Sequence, residues 1–202
     1  MTSARTIFLL SPANCGGKRA HLLIREQAAF PLACQVREGC ASLGDVFTFL
    51  SGLYFRGKLA YGRAFGSLGH GALVITPGRG LVPADTPVGL ADLLEIASIG
   101  VSRDEPRFRD PLERDAAALG AALSGADRVV LLGSIATGKY VDLIESRLDG
   151  RLYFPSAFVG RGDMSRGGLM LRCVQQGEEL EYVPIAGAVR HGPRPPKLEP
   201  IR

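Results

Sequence analysis

A chain of 202 residues, 46% hydrophobic and 22% charged, has enough apolar side chains to bury a core, which excludes a disordered protein, and its length fits one domain. No apolar run approaches the roughly 20 residues that cross a bilayer, and MTSARTIFLL enters strand-like sequence without the parts of a signal peptide, so the reading is a cytoplasmic protein with no membrane partner. The net charge of +4 leans toward anionic partners and also suits ordinary solubility.

Cys15, Cys34, Cys40 and Cys173 form no CxxC pair, and His21, His70 and His191 are scattered without metal-ligand spacing. The expectation is reduced, mostly buried thiols, no metal and no cofactor.

In chain order, Thr6 to Leu10 (TIFLL) is a continuous apolar run of the kind found in strands covered on both faces. The loop Ser11-Pro12-Ala13-Asn14-Cys15-Gly16-Gly17-Lys18 follows, then a helix carrying Ala20, Leu22, Leu23, Ile24 and Ala28 to near Pro31. Leu32 to Val36 reads as a short strand. Asp45 to Phe65 reads as one long helix with Asp45 as N-cap and an apolar stripe that includes Tyr54, with Gly52 and Gly57 weakening it. Ala72 to Thr76 is another buried strand, leading into a turn at Pro77, Gly78 and Gly80 with Arg79 at its tip. Helices are expected from Leu90 to Ile99 and from Pro111 to Leu123, with the charged segment Ser102 to Asp110 solvated between them.

The stretch DRVVLLGSIATGKYVD, Asp127 to Asp142, holds the strongest local signal. Arg128 to Leu132 is a buried strand, Gly133 and Gly138 bracket a loop that includes Ser134 and Thr137, and an amphipathic helix is expected from Thr137 or Gly138. Free amides at such a helix start, with Lys139 beside them, suit an anion. Gly133-x4-Gly138-Lys139 has the spacing of a phosphate-binding P-loop, but Tyr140 stands where that motif needs Ser or Thr to hold magnesium, and no strand ends in Asp. Further on come a strand at Arg151 to Phe154, a third helix start among Arg161, Asp163, Ser165 and Arg166, and a strand at Glu181 to Ile185. The expected organisation is a single α/β domain over residues 1–189 and a basic, Pro-rich extended tail over 190–202, with Arg190, Arg194, Lys197 and Arg202 able to follow a phosphate backbone. The fold expected is a three-layer domain with a mostly parallel central sheet of about five strands, helices on both faces and a ligand site at the carboxyl edge.

Three strand-end signatures, Ser11-x-x-Asn14 with Lys18, Thr76 to Val82 (TPGRGLV), and Gly133 with Gly138-Lys139-Tyr140, resemble an uncharacterised bacterial α/β domain family. That family is similar in turn to the uracil-DNA-glycosylase-like domain of archaeosine-forming tRNA-modification enzymes. The resemblance spans roughly the first 150 residues and departs at Thr-Pro-Gly-Arg, where the family has Ser-Ala-x-Tyr; the catalytic Asp and His motifs of uracil-DNA glycosylases are not recognisable. It implies a fold and a strand-edge ligand site, and leaves the reaction open.

The functional reading is a protein that binds a nucleotide, nucleobase or nucleic-acid phosphate without metal, with N-glycosidic bond chemistry as its enzymatic form. A non-catalytic nucleic-acid-binding module and a degenerate P-loop NTP-binding protein are the alternatives. The candidate ligand residues are Ser11, Gly17, Lys18, Arg79, Gly133, Ser134, Thr137, Gly138, Lys139, Tyr140, Arg161 and Arg166, with Asn14 and Asp163 as candidate catalytic residues.

Overall fold

The computed structural model describes residues 4–67 and 72–198; His70, Pro200 and Arg202 lie outside the described residues. Five residues of β1 (Thr6–Leu10) are buried, because both faces of the strand are covered. Ile7 and Leu9 join one core and Phe8 and Leu10 the other, as the period of two along a strand requires. β6 (Arg128–Leu132) pairs with β1 in parallel over its whole length, Thr6 against Arg128 through Leu10 against Leu132.

The sheet has six strands where about five were expected, in the order β4 (Gly80–Pro83), β3 (Leu73–Thr76), β1, β6, β7 (Leu152–Pro155), β8 (Tyr182–Pro184). β3, β1, β6 and β7 are parallel, and the two edge strands run antiparallel. A two-stranded ribbon of β2 (Ala41–Ser42) and β5 (Pro87–Val88) stands apart. One face carries α3 (Leu43–Ser51), α4 (Leu53–Phe65) and α8 (Asp163–Gln176); the other carries α6 (Pro106–Ala122) and α7 (Val141–Ile144). The molecule is therefore a three-layer α/β structure with a mostly parallel sheet, and no helix among the described residues is long and apolar enough to cross a membrane.

Several elements differ from the local reading. Leu32 to Val36 is helical, within α2 (Pro31–Glu38): Pro31 presets the first turn and Gly39, at φ 72°, closes the last one. The long helix splits at Gly52, whose φ of 65° ends α3 and begins α4, and Ser42 rather than Asp45 caps α3 by accepting from the Asp45 amide at 3.1 Å. Gly57 stays inside α4. α1 (Lys18–Leu23) is one and a half turns long and ends well before Pro31. α5 (Leu90–Ala97) forms as expected, while α6 begins at Pro106, with the Glu105 carboxylate accepting from the Arg107 amide at 3.2 Å. Of the four thiols, all free, Cys173 is buried, Cys15 and Cys34 are half-buried and Cys40 is exposed.

β1 and β6 are tied at their start by one carboxylate. Asp127 accepts from the Arg5 amide at 2.7 Å, from Arg5 Nη2 at 2.6 Å and from the Ser124 amide at 2.9 Å. These donors, the Arg5 guanidinium first among them, hold its carboxyl far below the usual range. A depressed pKa contributes stability that is present above the unfolded value and is lost progressively as pH falls from there through the folded one. Asp127→Ala should therefore lower the urea midpoint at pH 7, and the gap from the parent should close as pH falls below about 4; a gap of constant size across pH 3 to 7 would refute the assignment.

Candidate functional site

The chain leaves β1 and crosses to β3 on one side, then returns by way of α5 and α6 to β6 on the other. At the carboxyl ends of β1 and β6 the two crossovers diverge, which opens a crevice where sheets of this kind take their ligands. The loops after Leu10, Thr76, Leu132 and Pro155 all emerge at this rim, because their strands are parallel and adjacent.

Ser11 sits directly at the end of β1, 5% exposed, its amide donating to the Leu132 carbonyl at 3.4 Å. Gly133 faces it so closely that a Cβ there would stand 3.0 Å from the Ser11 Cβ. Beneath Ser11 lies a side chain that no motif announced: Lys58 of α4, fully buried, donates Nζ to the Ser11 carbonyl at 2.6 Å and to Ser11 Oγ at 2.9 Å. Its ammonium lies 4.4 Å from the ring centre of Tyr54 and 4.7 Å from that of Phe55. Burial lowers its pKa to about 7, with Asp163 pulling it up and Arg166 adding to the lowering. No carboxylate forms an ion pair with it among the described residues.

α8 supplies the other side of the cluster. It packs on α4 through two glycines: a Cβ on Gly57 would stand 2.6 Å from the Gly167 carbonyl oxygen, and one on Gly167 would stand 2.6 Å from the Leu53 carbonyl oxygen. This approach brings the first turn of α8 beside Tyr54 and Lys58. Arg166, with its side chain 13% exposed, donates Nε and Nη2 to the Phe158 carbonyl at 3.2 and 3.1 Å and pairs with Asp163 at 3.6 Å. The Tyr54 hydroxyl is buried beside the Arg166 guanidinium without a well-aligned hydrogen bond; burial pushes its pKa up to about 12 while Arg166 draws it down, and burial also raises that of Tyr140, on which Asp163 acts. A small cavity of about 10 Å³, room for roughly one water, is lined by Gly133, Ala136, Phe158, Arg166 and Arg190. The nearly buried Arg166 guanidinium lines this space, while the buried Lys58 amine and Tyr54 hydroxyl of α4 do not.

Of the candidates found by sequence, Ser11, Gly133, Tyr140, Asp163 and Arg166 belong to this cluster. Arg161 stands next to it, bonded to the Ala157 carbonyl at 3.0 Å, Ser165 Oγ at 3.2 Å and the Pro196 carbonyl at 3.4 Å. Asn14 is exposed and spends its Oδ1 on the Gly16 amide at 2.9 Å. Gly17 caps α1 and Lys18 opens it, exposed. Arg79 is on the same rim but is neutralised by Asp92 at 2.6 Å and Glu95 at 2.5 Å.

The loop that scans as a P-loop is built differently. Ser134 Oγ accepts from the Ala136 amide at 3.4 Å, and Thr137 and Lys139 are exposed. The Gly138 amide is taken by the Ile135 carbonyl at 3.4 Å, Gly138 is at φ 65°, and the Asp142 carboxylate lies against it. The expected amphipathic helix is the four-residue α7 followed by a 3-10 turn at Glu145–Arg147. Tyr140 packs its ring on Phe108 at 6.5 Å, and an acid sits where a phosphate would lie.

Sequence reasoning missed Lys58; it placed Tyr54 in the buried apolar stripe, where the structure has it. The signal was the spacing: Tyr54, Lys58, Tyr61 and Phe65 share one helical face, so a lysine inside an apolar stripe marks a buried charge. No group of three metal-ligating side chains occurs among the described residues. The fold is thus that of an α/β protein whose parallel strands bring their loops to one rim, and comparison with protein-family models, curated proteins and solved structures gives no match to this chain.

Proposed function

We propose that this chain binds a phosphate-bearing ligand, a nucleotide or the phosphate of a nucleic acid, in the crevice between the loops after β1 and β6. The observation that carries the reading is the nearly buried Arg166 guanidinium lining the cavity at Gly133, with the buried Lys58 amine bonded to Ser11 against that glycine. Burying positive charge costs free energy, and an anion drawn in beside it offsets that cost. The resemblance of the strand-end loops to an uncharacterised bacterial family, itself similar to a glycosylase-like domain, points the same way, toward a nucleotide component.

A non-catalytic nucleic-acid-binding module is the second reading, favoured by an open groove of about 330 Å³ where Arg161, Arg194 and Lys197 line the space between the start of α8 and the tail. A phosphate backbone following that groove would make affinity fall steeply with salt.

Thermal unfolding with inorganic phosphate, nucleoside monophosphates and single-stranded oligonucleotides, each with and without magnesium, tests both. We expect the midpoint to rise with nucleotide or phosphate, by the same amount with and without magnesium, and the rise to vanish in Arg166→Gln. A shift that requires magnesium and disappears in Lys139→Ala would reject the metal-free crevice. Affinity confined to oligonucleotides and lost in Arg194→Ala would favour the second reading.

A further inference from the structure

We propose that Ser11 is a nucleophile and Lys58 its general base, acting on a phosphodiester held in the crevice, an inference that rests on the phosphate-binding reading above. Nζ and Oγ are 2.9 Å apart, the separation across which a nucleophile passes its proton to a base. The remaining contacts of the amine are the Ser11 carbonyl and two aromatic faces, so no carboxylate holds it in its charged form. The groups that face it are Asp163 and Arg166 from α8 and Tyr54 and Phe55 from its own helix; burial favours the neutral amine over their combined influence.

Gly133 completes the arrangement, since a Cβ there would stand 3.1 Å from Ser11 Oγ. Gly133 thus packs closely on the hydroxyl, and the same glycine lines the small cavity that Arg166 and Arg190 also line. Arg166 and Arg190, each shared with one carboxylate, Asp163 at 3.6 Å and Asp142 at 3.8 Å, would turn their remaining N–H groups to the non-bridging oxygens of a phosphodiester.

In the step itself, Ser11 Oγ bonds to phosphorus, its proton moves to Lys58 Nζ, and the bond from phosphorus to the leaving oxygen breaks. The leaving oxygen takes the proton back from Nζ and departs as an alcohol, leaving a phosphoserine diester. Water then attacks phosphorus with Nζ accepting its proton, and Ser11 Oγ leaves as the hydroxyl, reprotonated by Nζ.

The test uses the full chain with bis(4-nitrophenyl) phosphate as substrate and a fluorophosphonate as a probe. The probe's phosphorus–fluorine bond breaks as the bond to Oγ forms. The expected result is release of 4-nitrophenolate and a label found on the Ser11 peptide by mass spectrometry, with a labelling rate that climbs with pH through a midpoint near 7. Ser11→Ala removes both. Lys58→Arg retains the charge but cannot give up a proton at neutral pH, so it slows both by about a hundredfold or more; circular dichroism and Lys58→Met establish that the loss occurs in folded protein. An unlabelled, inactive wild type, or full turnover in Ser11→Ala, overturns the dyad. If phosphate still raises the thermal midpoint in that case, the binding reading stands without it; if phosphate has no effect either, both fall.

Discussion

Gly57→Val is expected to be among the most destabilising single substitutions in this protein, costing about 3 kcal/mol or more, because it forces α4 and α8 apart. The Cβ of any residue at position 57 meets backbone, 2.6 Å from the Gly167 carbonyl oxygen and 2.9 Å from the Gly167 Cα, and backbone inside a helix cannot swing aside as the end of a side chain can. Alanine is favoured over glycine in a helix by about 1 kcal/mol, so Gly57→Ala gains that amount and still meets the clash; a net loss of about 1 to 2 kcal/mol is expected. Gly100→Ala serves as the reference, since nothing lies within 4 Å of its Cβ position, and it should leave the midpoint where it was. Urea unfolding at constant slope measures all three. Should Gly57→Val unfold at the wild-type urea concentration, the two helices do not approach as described. Because this contact sets α8, with Arg166, against the helix that carries Lys58, the valine variant should also lose any phosphate-dependent thermal shift.

The second large effect is a pH dependence carried by Lys58. Its folded pKa is about 7 against an ordinary value of 10.5. Between those values the unfolded chain holds a proton that the folded chain has released, so unfolding takes up protons and stability rises with pH by about 1.4 kcal/mol per pH unit. Below pH 7 both states are protonated and the full cost of burying the charge is felt. Cys15 and the tyrosines Tyr54, Tyr61 and Tyr140, each pushed up to about 12 by burial, act in the opposite sense above about pH 8.5, where the unfolded thiol and then the phenols begin to ionise. The window from pH 7 to 8.5 therefore isolates the amine.

Lys58→Met should remove the slope in that window. It leaves the Ser11 carbonyl and hydroxyl without their donor, at about 1 to 3 kcal/mol, and removes a desolvated charge. At pH 6 the variant is accordingly expected to be as stable as the parent or more so, while losing affinity for phosphate. Parallel stability curves for the two proteins from pH 6 to 8.5 would show that the amine does not titrate in this range. A residue whose removal stabilises the fold and abolishes binding is one retained for its chemistry.

The continuous apolar runs TIFLL, ALVIT and RVVLL were enough to announce strands covered on both faces and hence an α/β protein with helices on each side of the sheet, because a run without polar alternation can be buried only in that way. The loops that follow them were legible as turns from their glycines, and the order of strands and helices brought those loops to one rim. Local pattern misled where two structures satisfy it. LACQV suits a buried strand until Pro31 and Gly39 frame it as a helix, and GxxxxGK suits a phosphate cradle until the Asp142 carboxylate takes the space beside Gly138.

What only the tertiary structure decided is the composition of the crevice. Lys58 meets Ser11 across 47 residues of chain, and Arg166 joins them because Gly57 and Gly167 permit two helix backbones to touch. Periodicity along a chain records which residues are buried but not against what, since burial depends on an element's own face and contact depends on how distant elements pack. The sequence by itself determined the layers and the rim; the long-range packing of α4 on α8 decided which charges stand there.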